Sequence, residues 1–115
     1  DGVTPIFIAA QEGHLDIVRC LALEAQANVN QARTTDGGIP LTIAAQYGHL
    51  KIIRSLIQAG ADVHATDING RSALQLADAT GNSDIVDLLY FRIFPAKLRN
   101  KSILNISNHL ESYAK

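Results

Sequence analysis

Any chemistry in this chain would have to start from one cysteine and four histidines. Cys20 follows His14 by six residues, and on a helix that interval places the two side chains on different faces. No thiolate–imidazole pair is therefore expected. His14 and His49 stand in matching sequence frames, and neither has a metal-ligating residue three or four positions further on, so a structural role in a turn fits better than metal ligation. His64 and His109 are isolated. Gly37 and Gly38 form a loop pair without the flanking pattern that cradles phosphate. The glycosylation triplets at Asn100 and Asn105 are short enough to arise by chance. The expectation is a chain without catalytic residues, cofactor or metal, and so not an enzyme.

The spacing of the glycines says more. Three segments align: Gly2, Thr4, Pro5, Ala9 and Ala10; then Gly37, Ile39, Pro40, Ala44 and Ala45; then Gly70, Ser72, Ala73, Ala77 and Asp78. Their leading glycines lie 35 and 33 residues apart, and the same offsets recur at Gly13, Gly48 and Gly81. They recur again where Ile17 and Val18, Ile52 and Ile53, and Ile85 and Val86 fall in register. A period in this range is the mark of a repeat array.

Each unit reads as two short helices followed by an extended connection. Thr4 and Ser72 can cap a first helix through their hydroxyls, with Pro5 in the first turn where its missing N–H costs little. Paired alanines allow close helix approach, and Gly13, Gly48 and Gly81 can end the first helix in a left-handed turn. A second helix follows, with Ile52, Ile53, Leu56 and Ile57 at helical spacing, stopped at Gly60. Asp67, Ile68, Asn69 and Gly70 suit a hairpin tip. Helix pairs this short bury their apolar faces only by stacking.

These residues resemble the ankyrin repeat: Thr4-Pro5, Ala9-Ala10, the Gly-His-Leu runs at Gly13 and Gly48, and Gly60-Ala61-Asp62-Val63. The resemblance covers residues 2–91 and implies an all-α fold with short hairpin loops, an α-solenoid. Three units are expected at residues 2–36, 37–69 and 70–91, followed by a basic segment at 92–115. The departures are specific. Unit one is two residues longer than unit three's spacing requires, with one extra residue near Leu23 in its second helix and one near Arg33 in the loop. Gln26 stands where the pattern wants glycine, so that helix end should be irregular. Ile39 replaces a capping threonine. Phe7, Thr42 and Gln75 occupy a position that is usually histidine, and Asp78 replaces an alanine. Cys20, aligned with Ser55 and Leu88, is expected to be buried.

Charge divides the chain at the same boundary. Residues 1–91 carry five bases against ten acids, and residues 92–115 carry five bases against one acid, giving −1 overall. Ser102, Ile103, Leu104, Ile106, Leu110 and Tyr113 suggest a capped amphipathic helix covering the last unit. A chain without methionine that opens on Asp1, with an apolar first unit, is expected to be part of a longer protein with further repeats or a cap before it. With a single cysteine and no signal-like start, the expected location is inside the cell, in the cytoplasm or nucleus, or in a host cytosol if it is a bacterial effector.

The resemblance implies a partner protein bound on the concave face made by hairpin tips and first helices. Carried over residue by residue, that face comprises Phe7, Glu12, Thr35, Asp36, Thr42, Gln46, Tyr47, Ile68, Asn69, Arg71 and Gln75, with Val3, Gln11, Gly38, Ala79 and Thr80 alongside. Tyr47, Arg71 and Phe7 have the chemistry of interface anchors. No small-molecule substrate, nucleic acid or membrane partner is expected, and the domain should be monomeric. Two other readings stand. The array could recruit substrates for a catalytic domain outside these residues, as in a larger enzyme or host-directed effector. Alternatively, Arg92, Lys97, Arg99 and Lys101 could dock an acidic lipid or nucleic acid.

Overall fold

A computed structural model describes residues 2–95. The expected final amphipathic helix from Ser102 to Tyr113, and Lys97, Arg99 and Lys101, lie outside the described residues. Among the described residues there are six α-helices and one π-helical turn, and no strand beyond an isolated bridge. Unit one contains α1 (Pro5–Glu12) and α2 (Leu15–Arg19), the latter continued by a π-turn (Cys20–Glu24). Unit two contains α3 (Pro40–Tyr47) and α4 (Leu50–Gln58), and unit three contains α5 (Ala73–Ala79) and α6 (Ser83–Ile93). First helices pack side by side in the order α1, α3, α5, with the second helices forming a row behind them.

The capping residues start the helices as their chemistry requires. Thr4 Oγ1 accepts a hydrogen bond from the Phe7 N–H at 3.2 Å. Ser72 and Gln75 form a reciprocal box, Ser72 Oγ accepting from Gln75 N–H and Gln75 Oε1 from Ser72 N–H. Ile39 offers no acceptor, and Thr42 compensates: its hydroxyl accepts from the Ile39 N–H at 3.0 Å and donates to the Ile39 carbonyl at 2.8 Å. At the other ends Gly13, Gly48 and Gly81 take φ of +81°, +79° and +77°, the left-handed turn that separates the two helices of each unit.

The extra residue in unit one is absorbed as a widened turn. The second helix passes from α geometry into π geometry at Cys20–Glu24, a common way for a helix to accommodate one inserted residue. It ends irregularly, as expected, with Gln26 held at φ +54°. The loops beyond are stitched across units: Asn30 Oδ1 accepts from the Asp62 N–H at 2.8 Å and its amide donates to the Gly60 carbonyl at 3.2 Å.

The core is a continuous layer of Ile6, Ala10, Val18, Leu41, Ala45, Ile53, Leu56, Leu74, Leu89 and Tyr90, all essentially inaccessible. The alanines sit where first helices touch, so neighbouring helices approach closely. Cys20 departs from expectation: it is exposed, whereas its counterpart Ser55 is 3% exposed beneath Arg19, whose Nε donates to Ser55 Oγ at 3.4 Å. The difference follows from position, because Ser55 faces unit one and Cys20 faces away from unit two.

Two measurements check this account. Leu56→Ala empties a fully buried site between stacked helices and should cost about 2–5 kcal/mol in denaturant unfolding. Gln26→Gly relieves a left-handed non-glycine residue and should stabilise the chain by about 0.5–1 kcal/mol.

Candidate partner-binding face

The hairpin tips are rigid because their polar groups satisfy one another. In the loop before α3, the Gly37 N–H donates to the Arg33 carbonyl and the Arg33 N–H to the Gly38 carbonyl, both at 2.8 Å. The Arg33 guanidinium grips Asp36 through two bonds, Nε to Oδ1 at 3.0 Å and Nη2 to Oδ2 at 2.6 Å. Such a two-point pair fixes geometry as well as charge. The same guanidinium carbon lies 4.6 Å above the Phe7 ring centroid. The Arg33 hydrogen bond, followed by the Gly38 N–H, holds the Asp36 carboxyl down at about 2.

The loop before α5 reaches the same end differently. Asp67, largely buried, accepts from the Asn69 N–H at 2.9 Å, the Arg71 N–H at 3.0 Å and the Arg71 Nε at 2.9 Å. Burial pushes its carboxyl up, but these bonds outweigh burial and its pKa lies below the ordinary value. The two tips are joined by the Ile68 N–H donating to the Asp36 carbonyl at 2.7 Å. Gly37 permits this approach: it has φ +73°, and a Cβ there would stand 3.4 Å from the Ile68 nitrogen.

Against this framework the expected face residues separate into three groups. Tyr47 and Ile68 are 52% and 75% exposed. Glu12, Thr35, Gln46 and Asn69 are also exposed, as are Ala79 and Thr80. A second group is accessible but committed: Asp36 to Arg33, Arg71 to Asp67, and Gln75 to the Ser72 box. The third group corrects the expectation. Phe7 is 1% exposed and Thr42 3% exposed, and Gly38 is buried. Phe7 lies between Arg33 and Gly38, where a Cβ on Gly38 would come 3.7 Å from its ring, and Thr42 is spent as the cap of α3. Phe7 is covered by Arg33 and Gly38, which precede the following first helix, and Thr42 is turned onto the Ile39 backbone, while their counterpart Gln75 in unit three stays partly open.

Two residues that organise the tips, Arg33 and Asp67, were not on the expected face. The signal for both is an oppositely charged neighbour at short range, Asp36 three residues after Arg33 and Arg71 four after Asp67. His49 has the structural role expected of it: Nε2 lies 3.1 Å from the Gln11 carbonyl of unit one, and its ring stacks near Tyr47 with centroids 6.4 Å apart.

The family model for ankyrin repeats, in three copies, matches residues 6–102. The chain belongs to the ankyrin-repeat family. No curated protein matches it significantly. Ankyrin repeats are in general protein–protein interaction modules, so the partner class is another protein. Among the described residues, no three His, Cys, Asp or Glu side chains are grouped to hold a metal ion, and no helix is long and apolar enough to cross a membrane.

The ankyrin tips should carry an acid-sensitive share of stability. A carboxyl whose pKa is lower in the folded chain contributes fully above its ordinary value and loses that contribution as pH falls through the folded one. For Asp36 the window runs from 3.8 down to about 2. Asp36→Asn should lower stability at neutral pH and flatten the loss between these limits, as read by denaturant unfolding across pH. Asp67 should retain its own share of that loss.

Proposed function

We propose that the chain is a binding module without chemistry of its own, and that its partner protein docks on the hairpin tips and the exposed ends of the first helices. The observation that carries this reading is the exposure of Tyr47 and Ile68, an aromatic and a large aliphatic residue, on elements whose own hydrogen bonds are already satisfied. The fold does not need either side chain outside. Exposed apolar groups on a rigid frame lose little entropy on binding, and such anchors dominate interface energy.

The tethering of Arg71 by Asp67 changes its part. Its side chain keeps about half its surface (51%) in solvent, so it can still present a charge, but truncating it also disturbs the tip. Glu12, Gln46, Thr35 and Asn69 supply a polar margin around the two apolar anchors. Three units make a modest surface, so the affinity of this segment alone should be moderate. An intracellular setting accords with a single exposed thiol, and belongs to this same proposal.

The reading is tested by affinity capture from lysate with the wild-type chain and with a Tyr47→Ala/Ile68→Glu variant whose fold is confirmed by circular dichroism and unfolding midpoint. Both sites are exposed, so stability should change by no more than about 0.5 kcal/mol. A partner held by the wild type and lost by the variant supports the tip face. Equal capture by both removes it, and directs attention to Arg92 and the basic residues that follow.

A further inference from the structure

Asn69 is the one asparagine of the chain that precedes a glycine. A glycine there has no Cβ to obstruct its own nitrogen from approaching the asparagine side chain. The pair can react only if that side-chain amide is held by nothing else, if the peptide has room to turn, and if water reaches it.

The other asparagines among the described residues are engaged. Asn28 Oδ1 accepts from the Asn30 N–H at 2.9 Å, and Asn30 bonds unit two through both of its side-chain polar atoms. Asn82 donates to Thr80 Oγ1 at 2.8 Å and packs against Gly48. The Asn69 side chain makes no hydrogen bond among the described residues, and only its main-chain N–H is used, by Asp67. Asn69 and Gly70 are both exposed, and a Cβ placed on Gly70 would meet no atom within 4 Å. The Asp67 carboxylate fixes the N–H groups of Asn69 and Arg71 on either side, so only the peptide between Asn69 and Gly70 has to turn. The hold on the Gly70 nitrogen is its bond to the Asp67 carbonyl at 2.9 Å. That bond lies at an exposed loop tip, where local opening takes little free energy.

We propose that Asn69–Gly70 is a self-modification site, at which the tip of unit three converts in water from an amide to a carboxylate. Once the Gly70 N–H is released and gives its proton to hydroxide, the nitrogen attacks Asn69 Cγ. The N–Cγ bond forms, the Cγ–Nδ2 bond breaks, and Nδ2 takes a proton from water and leaves as ammonia. The closed imide ring then takes up one water. Opening at Cγ gives aspartate, and opening at the main-chain carbonyl carbon gives isoaspartate, with the chain running through the former side chain. The sum is amide and water to acid and ammonia, with nothing oxidised or reduced. Either product sets a new negative charge beside Ile68 and Arg71. Isoaspartate also lengthens the main chain by a methylene, which displaces the N–H groups that Asp67 holds. The modification is independent of the tip-face reading, and only its effect on a partner rests on that reading.

The test follows the folded 115-residue chain over time at mildly acidic and mildly alkaline pH, with peptide mass spectrometry after digestion and chromatographic separation of aspartate from isoaspartate. Asn69 should convert several-fold faster than Asn28, Asn30 or Asn82, give both products, and react faster at the higher pH, where the Gly70 nitrogen loses its proton more readily. Asn69→Gln keeps an exposed amide but requires a larger ring, so conversion at this position should fall several-fold with helix content unchanged. An Asn69 that stays intact in the folded chain overturns the inference, and conversion of a peptide of residues 64–75 alongside would trace the protection to the Gly70–Asp67 bond. Aspartate without isoaspartate overturns it too, because it would mean direct hydrolysis without the Gly70 nitrogen. Faster conversion at Asn28, Asn30 or Asn82 would show that the free side chain of Asn69 does not decide reactivity, with the same result.

Discussion

Helices of five to eleven residues do not hold together in water, because nucleation is costly and few bonds repay it. Each helix here survives through what its neighbour covers, and the neighbour in turn depends on the next. That mutual dependence governs the composition of the units. Alanines are needed where α1, α3 and α5 touch, since larger side chains would separate the row and open the layer behind it. The left-handed glycines fold each pair back on itself tightly enough for the second helices to cover the same layer. The loops then have only one register in which Asn30 meets Gly60 and Asp62, and the Ile68 N–H meets the Asp36 carbonyl.

Much of this could be read from the residues themselves. The glycine spacing, the Thr4 and Ser72 caps and the apolar stripe of α4 each act within a few residues of where they stand, so local reasoning reaches them. The surplus residue of unit one and the misfit at Gln26 were also visible as breaks in an otherwise regular pattern. Their resolution as a π-turn was not, because a helix can absorb an insertion in several ways and the surroundings select among them.

The site was less legible than the fold, for a physical reason. Phe7, Thr42 and Gln75 share one position in the repeat, yet two are buried and one is half open. What differs is what each side chain meets: Phe7 is covered by Arg33 and Gly38, Thr42 caps its own helix, and Gln75 reaches only the Ser72 box. Cys20 and Ser55 make the same point on the other face. Charge was similarly deceptive at Arg71, whose type suggests a free anchor while Asp67 has already engaged it. Tyr47 and Ile68 do lie exposed, as the repeat pattern led one to expect of their positions.

The widened turn at Cys20–Glu24 has a consequence for how the array comes apart. In a linear array each unit's persistence is its own stability plus the contacts of its neighbours. Unit one has neighbour contacts on one side only within these residues, a second helix that departs from α geometry, and a strained residue at its end. Thermal fraying therefore starts from unit one, and amide exchange should be fastest there and slowest in unit two, which has neighbour contacts on both sides. The Ile68–Asp36 bond then lies at a junction that opens late, so that this tip of the array outlasts the helices at its edge.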